Sequence, residues 1–152
     1  MLAYVCGVEA GARTGRASPA HHKGGWHLTG TLGSMAAGVA SAKLLGCSHQ
    51  QMTHAIGIAA SQSAGLQQNR GTMTKYLHAG KAAANGLMSG LLALRGFTAS
   101  GEVIEGARGF SRIYSEVAAP DELVADLGKF GLDPGATGGE PFDGFALSLD
   151  CG

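Results

Sequence analysis

The stretch "LGSMAAGVASAKLLG" at residues 32–46 decides the fold. Nine of its fifteen residues are Ala, Gly or Ser, and Val39 is its only β-branched residue, so a helix is favoured over a strand. We predict that this helix runs from Leu32 to Leu45, begins at a cap on Thr29 or Thr31, and stops at Gly46. Each Gly inside a helix costs roughly 1 kcal/mol relative to Ala. Close packing between helix backbones would offset that cost.

The same small-residue character continues on both sides of this stretch. Apolar residues recur at helical spacing from Leu2, and Ser48 has the position of an N-cap. A G-x-x-x-G pattern joins Gly86 to Gly90. We therefore predict four helices, over residues 2–15, 32–45, 49–68 and 79–95, with a loop from Gly15 to Thr29. The predicted fold class is all-α, a Gly/Ala-rich helical bundle.

The C-terminal part differs in character. Pro120 and Asp121 signal a short helix that ends at Gly128, and residues 133–152 are punctuated by Gly and Pro without apolar periodicity. We predict a division into residues 1–118, the helical bundle, and residues 119–152, a short helix followed by an irregular tail.

Composition excludes several classes of protein. No run approaches the roughly 20 apolar residues of a membrane span, and the start lacks the pattern of a signal peptide, so we expect a cytoplasmic protein without a membrane partner. No C-x-x-C pair is formed by the three cysteines, which are Cys6, Cys47 and Cys151. We expect neither a disulfide framework nor a cysteine zinc site, and we expect Cys6 and Cys47 to be buried.

Charge is distributed unevenly along a chain whose net charge is zero. No Asp or Glu lies between Glu9 and Glu102, whereas that window contains eight Lys or Arg and all six His. Uncompensated cations near a cleft attract anions, which predicts an anionic partner. Two alternatives stay open: the cations are solvated or pair with the acidic C-terminal part, or they bind nucleic acid. Their scatter among Ala and Gly disfavours nucleic acid.

The loop "HHKGGWHLTG" at residues 21–30 concentrates groups that can carry chemistry. Imidazole titrates near neutrality, so His27 is a candidate acid, base or anion-binding group. The alternative is that His27 caps the loop or stacks on Trp26. A metal bound by His21, His22 and His27 is disfavoured, because no carboxylate follows for more than seventy residues. We expect no metal at this loop.

A second group of cations lies in "NRGTMTKYLHAGKAA" at residues 69–83. Cations at a helix N-terminus can hold a carboxylate or a phosphate. Lys75 and Ala82 depart from the phosphate-binding P-loop pattern, so a nucleotide is not expected. The alternative is a solvated helix face. The candidate side chains are those of Arg70, Lys75, His78 and Lys81.

Four segments in this order resemble the MmgE/PrpD family: "HHKGGWHLTGTLGSMAAGVASAKLLG", "AIGIAASQSAGL", "GTMTKYLHAGKAAANGLMSGLLALRGFT" and "IEGARGF". The resemblance covers residues 2–116. It implies part of a large helical domain, homodimers, and cofactor-free lyase chemistry on di- or tricarboxylates. That chemistry removes a proton next to a carboxylate, with loss of hydroxide or carbon dioxide.

The resemblance also implies roles for individual residues. His27 matches the histidine of a G-[FW]-H-x-T motif and is the expected proton donor or acceptor. Lys75 matches the lysine of a G-T-x-x-K motif and is expected to hold a substrate carboxylate and stabilise developing negative charge. The expected supporting residues are Thr29, His78, Arg70 and Lys81.

The chain also departs from the family pattern. The family chain is about three times longer, and neither its N-terminal active-site motif nor its smaller domain has a counterpart here. We therefore expect an internal piece of the helical domain, completed as a homodimer or by another chain. The preferred activity is 2-methylcitrate dehydration. The alternatives are cis-aconitate decarboxylase-like or epimerase activity, an inactive fragment, and a module that only binds carboxylates or mediates oligomerisation.

Overall fold

The computed structural model describes residues 1–127, and within them every regular element is helical. This confirms the predicted all-α class. The helices, in chain order, are α1 (Leu2–Arg16), α2 (Leu28–Leu44), α3 (His49–Ser61), α4 (Thr74–Leu94) and α5 (Phe110–Ile113). Short 3-10 helices cover Gln67–Asn69 and Pro120–Leu123. The predicted irregular tail lies outside the described residues.

Helix α2 is the centre of the bundle and packs against α1, α3 and α4. Its small residues permit this, as the sequence predicted. A Cβ placed on Gly86 of α4 would lie 2.3 Å from the Cβ of Ala37 and 2.6 Å from the backbone nitrogen of Gly38. The backbones of α2 and α4 are therefore in direct contact, and the G-x-x-x-G face of α4 is the surface that meets α2.

Two apolar clusters fill the space between the helices. One contains Met35 of α2 with Ala59, Ala60 and Phe110, and the other contains Ala42 of α2 with Ala55, Ile58 and Ala93. Cys6 is buried as predicted, whereas Cys47 is only half-buried.

Several helix boundaries differ from prediction. Helix α2 begins at Leu28 with His27 in the N-cap position, not at a Thr29 or Thr31 cap, and α4 begins at Thr74. Helix α3 does begin at the predicted Ser48 cap, which forms a capping box with Gln51. It ends at Ser61 instead of Gln68, because the chain then turns back toward the loop before α2.

The C-terminal end of the described chain is held against α1. Arg13 is paired with Glu9 at 2.6 Å in a buried contact, and its Nη1 donates hydrogen bonds to the carbonyls of Leu123 and Ala125. Arg16 pairs with Glu122 at 2.5 Å. The short helix predicted after Pro120 is a single 3-10 turn, Pro120–Leu123. The predicted division at residue 118 stays a prediction.

Candidate functional site

Two distant loops come together to form the site. Trp26 and Leu66 make an isolated antiparallel bridge. The backbone N–H of His27 donates to the carbonyl of Gly65 at 3.0 Å, and the N–H of Gln67 donates to the carbonyl of Gly25 at 2.8 Å. This pairing carries the histidine loop across to the segment that leads into α4.

His27 and His78 meet at this crossing. Their Nδ1 atoms are 2.8 Å apart, and the two rings are inclined at 47°. His27 lies at the N-cap of α2, where it is half-buried, while His78 lies in the second turn of α4 and is 8% exposed. The two long helices of the bundle thus each contribute one imidazole.

Gly65 makes room for the His78 ring. Its φ is +156°, and an added Cβ would lie 3.3 Å from Nδ1 of His78. Only glycine adopts this backbone conformation without strain, so the chain can cross closely over the imidazole at this position.

The surroundings of His27 are electropositive. The pKa of His27 is below its ordinary value, because burial disfavours the charged ring and because His78, Lys75, Arg70 and His22 add positive charge nearby. Lys75 and Arg70 are both exposed. Since residues 10–101 contain no Asp or Glu, the sequence around the site offers no carboxylate to neutralise these cations. Such a site favours an anion.

The predicted site residues therefore divide into two groups. Charge and geometry bring together His27, His78, Lys75 and Arg70. Thr29 is exposed on the first turn of α2, and Lys81 is exposed on α4. Within residues 1–127, no hydrogen bond or ion pair joins Thr29 or Lys81 to the histidine pair. The side chain of His78 is buried, so the alternative of a solvated helix face does not apply to this residue.

Gln67 contributes to the site and was not predicted. Its Nε2 donates to the carbonyl of Trp26 at 3.1 Å and lies 2.9 Å from Nδ1 of His22. It also donates to the carbonyl of His22. The amide therefore ties the 3-10 turn after α3 to the histidine loop. No local pattern signals such a contact, because its partners lie more than forty residues away.

His21, in contrast, belongs to the core. It is 1% exposed and lies against Trp26, Phe110 and Tyr114. Its Nδ1 lies 3.0 Å from the carbonyl of Tyr114, which can only accept, so Nδ1 carries the proton. Nε2 lies 2.7 Å from the hydroxyl of Thr31. Burial lowers the pKa of His21; the hydrogen bond to Tyr114 opposes this shift, and the charge of His22 adds a smaller lowering.

We expect His21→Phe to reduce both the stability of the fold and its dependence on pH. The variant keeps an aromatic ring but leaves the Tyr114 carbonyl and the Thr31 hydroxyl without this partner, which costs about 2 kcal/mol. A histidine whose pKa is lower when folded stabilises the fold fully above its unfolded value, and that stability is lost as pH falls through about 6.5 toward the folded value.

Urea unfolding at pH 7.5 and pH 5.5 measures both effects. The wild type should lose stability at the lower pH, and His21→Phe should lose less. The matched control is His49→Phe, because His49 is exposed at the start of α3. Equal pH dependence in the wild type and in His21→Phe would contradict the prediction.

Membrane spans and metal sites are two features that bear on what the site can bind. None of the helices among residues 1–127 is long and apolar enough to cross a membrane. Over the same residues, no group of three or more His, Cys, Asp or Glu side chains is arranged to hold a metal ion.

Comparison with known proteins gives the family. The pattern of the MmgE/PrpD N-terminal domain matches residues 1–123. A cis-aconitate decarboxylase of Aspergillus terreus (strain NIH 2624 / FGSC A1156) is 36% identical over 140 residues, which cover 86% of this chain and 29% of the relative. The cis-aconitate decarboxylase of Homo sapiens is 36% identical over 88 residues, which cover 58% of this chain and 18% of the relative. The cis-aconitate decarboxylase of Mus musculus is 34% identical over 94 residues, which cover 62% of this chain and 19% of the relative.

These matches fix the family and the extent of the likeness. The chain spans less than a third of the length of these relatives. The family match includes both the histidine loop and the segment that leads into α4. The chain belongs to the MmgE/PrpD family, whose N-terminal domain it matches over residues 1–123.

Proposed function

We propose that this chain supplies a carboxylate-binding, proton-transferring part of a lyase active site that acts on a di- or tricarboxylate. The observation that carries the proposal is the half-buried His27 beside His78, with the cations Lys75 and Arg70 nearby and no carboxylate in the surrounding sequence. Such a site suits a substrate that brings several negative charges of its own.

Each group has a separate role in this proposal. Lys75 holds a substrate carboxylate and stabilises the negative charge that develops during the reaction, and Arg70 adds a second cation. Nδ1 of His27 is occupied by His78, so Nε2 is the atom that exchanges a proton with the substrate. Thr29 and Lys81 are supporting residues.

The first substrate to test is cis-aconitate, because the relatives are cis-aconitate decarboxylases. In a decarboxylation, the bond between a carbon and its carboxylate breaks and carbon dioxide leaves. The electron pair stays on the carbon skeleton, which must gain one proton, and His27 is the proposed donor. 2-Methylcitrate, which the family resemblance favoured, is the comparison substrate, since its dehydration also begins next to a carboxylate.

The remainder of the active site must come from elsewhere under this proposal. The chain covers 29% of the length of the Aspergillus terreus relative. We propose that polypeptide outside these 152 residues completes the cleft, whether it continues this chain, belongs to a second copy or is a complementing chain.

We expect the 152-residue chain to bind cis-aconitate through Lys75. Removing a charged hydrogen-bonding partner costs about 1.5 kcal/mol or more, so Lys75→Ala should raise the Kd at least about tenfold. Titration calorimetry at low ionic strength measures this, since salt screens exposed charges. The matched control is Arg95→Ala, because Arg95 is a cation 20 residues further along α4, about 30 Å away.

The possible outcomes separate the alternatives. An effect of Lys75→Ala that is absent in Arg95→Ala supports the site. Equal effects of the two substitutions would show that binding follows net charge alone and would overturn it. Failure of the wild-type chain to bind cis-aconitate, 2-methylcitrate or citrate would also overturn the proposal and favour an inactive fragment.

A further inference from the structure

The contact between His27 and His78 restricts the protons on the pair. The two Nδ1 atoms lie 2.8 Å apart, a hydrogen-bonding distance that requires one donor and one acceptor. Both nitrogens cannot carry a proton at once without breaking the contact. Nor can both be bare, because two lone pairs would then face each other.

We propose that His78 is a positioning residue which shares one proton with His27 between their Nδ1 atoms, so that the two rings act as a single acid–base unit with at most one positive charge. This inference rests on the proposed function for its role in catalysis. The pairing itself is a property of the described structure and can be tested without substrate.

Counting protons shows what the unit can do. The neutral pair holds two protons, one between the Nδ1 atoms and one on Nε2 of whichever ring accepts. When His27 is the Nδ1 donor, its Nε2 is bare and can take a proton from a substrate. The shared proton can then pass to Nδ1 of His78, which leaves His27 neutral with a proton on Nε2 and places the positive charge on His78. The reverse sequence makes His27 a donor.

Burial explains why His78 acts through His27 instead of binding substrate. The ring is 8% exposed, lies directly beside Gly65, and has its Nδ1 against that of His27. The charged groups that act on His27 besides His78 are His22 from the loop before α2, Arg70 from the segment before α4, and Lys75 from α4. All are basic, so each disfavours a second positive charge on the pair.

Nitrogen NMR of the histidine rings tests the inference, because protonated and unprotonated ring nitrogens resonate apart. In the wild type at pH 8, the Nδ1 atoms of His27 and His78 should together carry one proton. On acidification the two rings should titrate as a coupled pair in two steps, the second of which breaks the contact between the Nδ1 atoms. Exposed His49 serves as the internal control.

Two variants separate positioning from simple structural support. His78→Phe removes the nitrogen, so His27 should titrate in a single step and lose its fixed tautomer. His78→Asn keeps a hydrogen-bonding group without the charge, so His27 should titrate in one step at higher pH than in the wild type. If the protein turns over cis-aconitate, His78→Asn should have a higher kcat than His78→Phe. The two variants are compared under conditions in which both are equally folded.

The result that would overturn the inference is independent, single-step titration of His27 and His78 in the wild type, with protons on the same nitrogen in both rings. Coupled titration in a chain that binds no carboxylate would support the pairing and contradict the proposed function. One result can therefore contradict the proposed function without contradicting the histidine pairing.

Discussion

Gly86→Ala is expected to destabilise the bundle by at least about 3 kcal/mol. The added methyl group would lie 2.3 Å from the Cβ of Ala37, 2.5 Å from its carbonyl carbon and 2.6 Å from the nitrogen of Gly38. Two of these atoms are backbone, so no side chain can rotate away and α2 and α4 must separate. Overpacking of this kind costs typically 1–3 kcal/mol and more where the backbone has to move. Thermal unfolding should show a fall in Tm of about 10 °C.

The same helix supplies the matched control. Gly80 also lies inside α4, but nothing lies within 4 Å of the position of its added Cβ. Gly80→Ala should therefore stabilise the fold by up to about 1 kcal/mol through helix propensity alone. If Gly86→Ala lowers the free energy of unfolding and Gly80→Ala raises it, the result would demonstrate backbone contact at Gly86. Stabilisation by both would show that α4 is not packed on α2 as described.

His27→Ala, assayed in the assembly that completes the cleft, is expected to reduce turnover of cis-aconitate by about 10²- to 10⁴-fold, the usual contribution of a positioned acid or base. Folding should be affected little, because His27 is half-buried and its side chain makes no cap hydrogen bond to α2. Release of carbon dioxide measures turnover, and circular dichroism at the same pH verifies the fold.

A second histidine variant makes this result specific. His49→Ala changes an exposed histidine at the start of α3 and should leave turnover unchanged. Unfolding of His27→Ala would assign His27 a structural role and contradict its catalytic one. A completed wild-type assembly that binds cis-aconitate but releases no carbon dioxide would contradict the lyase part of the proposal and favour a carboxylate-binding module.

Local sequence predicted those parts of the fold that depend on local interactions. The Ser48 cap, the stop near Gly46 and the small-residue packing between helices follow from propensity and composition, and the structure contains all three. The early end of α3 at Ser61 has another cause, because the chain must turn back so that Leu66 can pair with Trp26. Local propensity carries no information about that distant partner.

The candidate site was likewise predictable in part, because some of its features depend on contacts between residues far apart in the sequence. His27, Lys75, Arg70 and His78 were singled out by residue type and by family resemblance, and the structure places His78 beside His27. The burial of His21 could not be foreseen, because its partners Thr31 and Tyr114 come from α2 and from the end of α5, the latter more than ninety residues away. The family motif singles out His27 among the three histidines of the loop, but only packing distinguishes buried His21 from exposed His22.

The bridge between Trp26 and Leu66 has a consequence for the order of folding. It closes a loop of 40 residues that contains all of α2 and α3. Closing a flexible loop of this length opposes folding by about 3 kcal/mol of chain entropy, and long-range contacts are the slow ones to form. The helices can therefore form before the two imidazoles meet. A transient species with native helix content but an unpaired His27 and His78 would lack the site entirely, so recovery of ligand binding should lag behind recovery of helicity during refolding.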